Sequence, residues 1–192
     1  MKYGARYIRW APVKSTLENA LPAYGDSISL GGLQKVSDNP SYSEAKGFED
    51  DALAIHVSEF KECPVDVEIG ELENKTAAAV LGAKLAEEGE DLRFGSDDNA
   101  ADGGLAFIIC KMLKGNLKRY QGIFYPVLKA AMQGEEYSGK GESIVLTNSK
   151  LHFLARPAAN GTWKVKSKDF NTVEEAIAWV DEILPKQAVA GE

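Results

Sequence analysis

Apolar residues recur along this chain mostly at every second position, the spacing that turns one face of a strand toward a core and the other toward water. Val65, Val67 and Ile69 alternate with Asp66 and Glu68, and just upstream Leu53, Ile55 and Val57 alternate with Ala54, His56 and Ser58. These runs predict two antiparallel strands of a meander, parted at Cys63-Pro64, where a proline without an N–H marks an edge or a bulge. The clearest hairpin signal rises over 104–113, turns through Lys114-Gly115-Asn116 and returns over 117–125. Its Gly-Asn pair suits a tight two-residue turn. Further strands are predicted at 3–13, 27–36, 144–147, 151–156 and 162–166, separated by clusters of Gly, Asn, Asp and Ser.

The period lengthens to that of a helix twice. Asn74 can cap a segment to about residue 87 in which Ala77, Val80, Leu81 and Leu85 share one stripe. Thr172-Val173-Glu174-Glu175 forms a capping box that opens a helix over 172–184 through Ala176, Ile177, Trp179, Val180 and Ile183. Pro185 stops it, and the tail from Lys186 is expected to fray. Two polar segments, 37–51 and 87–103, carry neither period and are expected to be long loops with functional roles. The pattern describes a mainly β chain, a β-sandwich or barrel with a flanking helix and a C-terminal helix, in a single domain over residues 1–192.

Composition narrows the function. Hydrophobic residues at 44% and charged residues at 27% are ordinary for a soluble globular protein. With 29 acidic against 22 basic residues the net charge is -7, which disfavours capture of nucleic acid or an anionic membrane. The longest apolar stretch, 105–110, is too short to span a bilayer, and the N-terminus has no signal-peptide core, so synthesis in the cytoplasm is expected. Cys63 and Cys110 are accordingly expected as buried free thiols.

The search for catalytic chemistry returns nothing specific. His56 and His152 lie in strand-like runs without cysteine or carboxylate at ligand spacing, so both are read as structural and no metal is assigned. The segment from Ser96 to Gly103 resembles a calcium loop only superficially. Starting it at Asp98 puts Ala100 at the third ligand position and Ile109 where the bidentate glutamate belongs. No phosphate-binding loop and no nucleophile elbow occurs, so neither enzyme activity nor a cofactor is assigned. Tyr120, Phe124 and Tyr125, with Lys111, Lys114, Lys118 and Arg119 nearby, would suit a barrel that binds oligonucleotides or oligosaccharides, which is the alternative function. Such aromatics equally serve as core or cross-strand pairs, and the acidic balance argues against a basic groove.

The run Asp102-Gly103-Gly104-Leu105-Ala106-Phe107, followed by a lysine-rich turn and Tyr120-Gln121-Gly122-Ile123-Phe124-Tyr125-Pro126-Val127-Leu128-Lys129-Ala130-Ala131, resembles the major tail tube proteins of long-tailed phages. The opening Lys2-Tyr3-Gly4-Ala5-Arg6-Tyr7, the tract Phe48-Glu49-Asp50-Asp51, and the closing Gly161-Thr162-Trp163-Lys164-Val165 and Glu174-Glu175-Ala176-Ile177-Ala178-Trp179-Val180 follow in the family's order. The motifs are individually weak, and their specificity lies in order and spacing over nearly the whole chain. Residues 30–44 depart from the family's pattern.

The resemblance implies two packed antiparallel sheets with a flanking helix, a fold shared with the tubes of contractile tails and type VI secretion. It implies a structural virion protein, from a phage or prophage, made in the host bacterial cytoplasm and carried in the virion tail. Its partners are itself, in homohexameric rings stacked into a hollow tube, and other tail proteins such as tape measure and tail terminator, with DNA passing through the lumen without specific binding and no membrane. Strand edges joined into a closed barrel leave no open edge, and heterologous stacking extends the ring into a tube. A long loop reaches the next ring in such tubes. Segment 37–51 fits it, which makes Asn39, Pro40, Tyr42, Lys46, Gly47, Phe48 and Asp50 the expected inter-ring contacts. An acidic lumen would keep DNA mobile, and Asp66, Glu68 and Glu59 are the expected lumen-facing carboxylates, with Lys111 and Lys118 outside or paired.

Overall fold

The computed structural model describes residues 1–49, 52–86, 91–132, 134 and 148–186. The strands are β1 (Lys2–Ser15), β2 (Ala23–Tyr24), β3 (Ile28–Ser29), β4 (Leu33–Asp38), β5 (Ser41–Glu49), β6 (Ala52–Ile69), β7 (Lys84–Leu85), β8 (Leu92–Arg93), β9 (Asp102–Met112), β10 (Lys118–Met132), β11 (Ser149–Arg156) and β12 (Val165–Lys166). Two helices, α1 (Asn74–Leu81) and α2 (Val173–Ile183), complete the described elements. Ten strands form one antiparallel sheet ordered β2-β1-β9-β10-β11-β6-β4, with β3 added on β1, β12 on β10 and β5 on β6. β7 and β8 make a separate two-stranded ribbon.

The protein is mainly β, with the layered architecture expected. Its two packed layers are the halves of one curled sheet, joined where the chain passes from β3 on β1, with the Leu30 N–H still reaching the Ile8 carbonyl at 3.5 Å, to β4 on β6. The core between the halves is built by Ile8, Trp10, Val65, Val67, Leu105, Phe107, Tyr125, Leu151 and Phe153. Val65, Val67 and Ile69 point into it while Asp66 and Glu68 stay partly exposed, as the alternation requires.

The half made of β1, β9 and β10 is covered on its second face as well. α2 lays Ala176, Val180 and Leu184 over Ala11, Ala106, Ile108 and Phe124. That double cover explains why 103–108 reads as a continuous apolar run instead of an alternating one. It also explains two glycines, because a Cβ on Gly122 would meet the Trp179 ring at 2.2 Å and one on Gly103 would meet the Trp10 indole at 2.3 Å. Phe124 and Tyr125 are buried on opposite faces of β10, so neither is available as a base-stacking platform.

α2 carries the expected capping box: the Glu175 N–H donates to the Thr172 hydroxyl oxygen, and the Thr172 N–H donates to the Glu175 carboxylate, each at 3.3 Å. α1 departs from expectation at both ends. Glu73, not Asn74, is its N-cap residue, without a side-chain cap. It ends at Leu81 because Gly82 turns left-handed (φ 73), and Leu85 belongs to β7 instead of the helix stripe.

Several strand boundaries also moved. The predicted strand 27–36 is two strands, broken at Gly31 (φ 101), where β3 leaves β1 and β4 joins β6. The strand expected at 162–166 is limited to β12, and that at 144–147 lies outside the described residues. Of the tail expected to fray, Lys186 is held, its ammonium pairing with Asp181 at 2.8 Å and its backbone bridging to Ser27, and 187–192 lie outside the described residues. Residues 87–90 of the acidic segment lie outside the described residues, and the rest of it includes β8 and the start of β9. Cys63 and Cys110 are buried free thiols.

Two larger corrections concern the middle of the chain. The runs expected as separate strands of a meander are one strand of 18 residues, β6. Pro64 interrupts nothing, because it lies opposite the break between β4 and β5, where its carbonyl accepts the Asn39 N–H at 3.1 Å. N–H and C=O of a strand residue point the same way, so the missing donor falls at that break. The segment expected as a loop at 37–51 is instead largely strand, ending β4 and supplying all of β5. Its apolar alternation is absent because the side chains described along β5 are exposed on both faces.

Candidate functional site

β5 and β6 form a hairpin that outgrows the sheet. Their pairing runs from Ser41 opposite Glu62 to Glu49 opposite Ala52, whereas β11 accompanies β6 only as far as Cys63. Beyond that point, among the described residues, β6 is paired with β5 alone. At about 3.3 Å per residue this arm is roughly 33 Å long. An isolated two-stranded hairpin is marginal in water, so the arm depends on what holds its base and on what covers its faces.

The base is held by two clusters. Phe60 stacks on Trp163 with ring centroids 4.6 Å apart, and Tyr42 meets Phe60 edge-on at 5.9 Å. Beside them the Tyr125 hydroxyl donates to the Asp38 carboxylate at 2.8 Å, and the Lys164 ammonium pairs with the same oxygen while lying over the Tyr125 and Trp163 rings. Burial opposes ionisation of Asp38, but the hydrogen bonds from Lys164 and Tyr125 and the nearby lysine charges outweigh it and hold the carboxyl below its ordinary value. Burial, followed by the Asp38 hydrogen bond, pushes the Tyr125 phenol well above its ordinary value. The clasp ties β4, β10 and the segment before β12 together where the arm departs.

A register shift at Lys61, which the pairing skips, turns the alternation over at this base. Phe60 therefore joins the core-facing row of Cys63, Val65 and Val67. One face of the arm is polar beyond its aromatic base, with Glu44 accepting from Lys46 at 3.4 Å and lying 3.6 Å from the His56 ring nitrogen. The opposite face presents Ala45, Ile55, Val57 and Glu59, and Ile55 and Val57 are 58% and 44% exposed. No strand or helix among the described residues covers it.

The expected contact residues separate along this hairpin. Asn39 and Pro40 form the joint between β4 and β5, Tyr42 belongs to the aromatic base, and Lys46 lies on the polar face. Gly47 and Phe48 pair by backbone with Ile55 and Leu53, and Asp50 lies outside the described residues. Of the expected lumen carboxylates, Asp66 and Glu68 share the outward face of β6, and the shift at Lys61 brings Glu59 onto the same row farther out. They are not a bare acidic wall: the His152 ring nitrogen lies 2.6 Å from Asp66, and Lys35 pairs with Glu68 at 3.5 Å. Sequence spacing had placed no carboxylate near either histidine; cross-strand register supplies both. Lys111 is paired, 2.6 Å from Asp169, and Lys118 is exposed.

The base residues Asp38, Phe60, Trp163 and Lys164 were not singled out as a group from sequence. Up to 126 positions separate them, and no local period links them. No group of three His, Cys, Asp or Glu among the described residues is arranged to hold a metal ion, and no described helix is long and apolar enough to cross a membrane. A scan of protein-family models and a search of curated proteins returned no match, so the site rests on its own geometry.

Proposed function

We propose that the chain is a non-enzymatic structural subunit of a phage-type tail tube, which assembles with itself into hexameric rings stacked around a lumen that conducts DNA. The observation that carries this reading is the arm: a ribbon projecting beyond the sheet, clamped at its base, with an apolar face that no strand or helix among the described residues covers. A protein that acts alone gains nothing from such a projection, and an edge or face left open is a liability unless assembly covers it. The resemblance of ordered motifs along the chain supplies the particular assembly. The arm takes the role of the ring-to-ring contact, as a hairpin in place of a loop.

Asp66 and Glu68 remain the proposed lumen residues, with His152 beside the first and Lys35 paired with the second. Replacing both with lysine is expected to leave tubes intact and slow DNA ejection; unchanged ejection would remove them from the lumen. The reading as a whole is tested by light scattering and electron microscopy of concentrated protein, alone and co-expressed with other tail proteins. Rings or tubes are expected, and a variant with residues 43–59 replaced by a short turn should fold but not stack. Monomers under every condition would overturn the proposal, and monomers that bind single-stranded nucleic acid would favour the alternative barrel-binding function.

A further inference from the structure

Between β11 and the base of the arm the chain makes a turn whose tip pairs an asparagine with a glycine. Ala158 is buried and anchors the turn, which two backbone bonds close: the Gly161 N–H donates to the Ala158 carbonyl at 2.8 Å, and the Ala158 N–H donates to the Thr162 carbonyl at 2.9 Å. Asn160 and Gly161 are exposed at its tip. Of the eight asparagines in the chain, Asn160 alone precedes a glycine. Gly161 adopts φ 78, the left-handed region that glycine enters without strain, and a Cβ built on it would meet no atom within 4 Å. Among the described residues, then, the nitrogen after Asn160 is crowded neither by a side chain of its own nor by another element.

We infer that Asn160 is a site of self-modification, at which the folded turn converts the side-chain amide to aspartate or isoaspartate through a succinimide. Asn160 Oδ1 accepts the Thr162 N–H at 3.0 Å. That donor polarises the side-chain carbonyl and faces the oxygen on which negative charge develops when Cγ is attacked. The attacking atom is the Gly161 nitrogen. Its proton leaves as the bond to Ala158 opens, the N–Cγ bond forms, and the Cγ–N bond of the amide breaks, the departing nitrogen taking up a proton to leave as ammonia. Water then opens the ring, at the side-chain carbonyl to give aspartate or at the main-chain carbonyl to give isoaspartate. The balance is one water in and one ammonia out, with no oxidant or reductant. The clasp lies next along the chain, where Trp163 stacks on Phe60 and Lys164 pairs with Asp38. Isoaspartate reroutes the backbone through Cβ and Cγ, which lengthens the turn by one carbon just before these two residues. The new charge is the lesser change, because residues 157–168 carry Lys164, Lys166 and Lys168 and no acidic residue.

The site stands apart from the tube reading and is decided on the single subunit. The test holds the full chain, folded, at mildly alkaline pH and follows its intact mass and peptide maps. A gain of one mass unit confined to the peptide with Asn160 is expected, at a rate that rises in proportion to hydroxide, with both products resolved by fragmentation. Asn160→Gln, whose longer side chain closes the ring poorly, should fold and stay unmodified. No gain at Asn160 in the folded chain, a gain only after unfolding in urea, or an equal gain at the other asparagines would overturn the inference. For the clasp, isoaspartyl chains separated from the mixture should show a lower urea midpoint than Asn160→Asp, which brings the charge without the longer backbone. Equal midpoints would overturn the link to the clasp.

Discussion

The sheet half made of β1, β9 and β10 and the arm made of β5 and outer β6 are built from the same antiparallel ladder, yet their energetics are opposite. In the first, Phe124 and Tyr125 are almost fully buried on the two faces of a single strand, one under α2 and the other in the main core. In the second, Ile55 and Val57 are 58% and 44% exposed, and the anchoring clusters among the described residues lie at the base. Backbone pairing alone does not make a strand pair stable in water; burial of side chains does. Among the described residues the covered half is stabilised on both faces, whereas the arm is stabilised at its base and by backbone pairing.

The largest break in this comparison is expected from Phe124→Ala. Removing a fully buried aromatic between β10 and α2 should cost about 3–5 kcal/mol, read as a lowered urea midpoint with little change in slope. A cost below about 1 kcal/mol would mean that α2 does not cover the sheet as described.

Next comes the clasp. Asp38→Asn should weaken the wild-type protein's pairing with Lys164 and Tyr125, and the loss should depend on pH. The folded carboxyl lies below its ordinary value, so its contribution is fully present above the unfolded pKa of about 3.9 and is lost as pH falls through the folded value. Urea midpoints of wild type and Asp38→Asn should therefore differ at neutral pH and converge below about pH 4. A constant gap across that range would show that the carboxylate charge is not what holds the base of the arm.

A smaller effect, about 1 kcal/mol, is expected from Thr172→Ala, which removes the acceptor for the Glu175 N–H at the start of α2. Thermal unfolding followed by circular dichroism would measure it. Smallest of all for the single subunit is Ile55→Ser with Val57→Ser, expected within about 0.5 kcal/mol of wild type because both side chains are already exposed. The same pair should abolish stacking in sedimentation and microscopy. A large loss of subunit stability would mean that the arm face is covered within its own chain.

Much of the sheet and of its covering helix α2 is legible along the chain. The β9–β10 hairpin, the alternation at Val65, Val67 and Ile69 and the capping box at Thr172 are all written in neighbouring residues, because a strand buried on one face or a helix end is a short-range pattern. At the end of α1 and within 27–36 the backbone geometry of glycine, at Gly82 and Gly31, overrides the side-chain pattern. The hairpin at 41–49 was hidden for a different reason: exposed side chains on both faces leave no hydrophobic alternation to read.

By itself, then, the sequence determined a mainly β fold, the β9–β10 hairpin, the capped C-terminal helix and an acidic charge balance. Only the tertiary structure decided that 41–62 is an arm, that Asp38, Tyr125 and Lys164 clasp it beside the Phe60–Trp163 stack, and that His152 lies against Asp66 and Lys35 against Glu68. The physical reason is range. Burial and capping depend on residues a few positions apart, whereas clasps and cross-strand pairs join residues that come together only when the sheet's register is set.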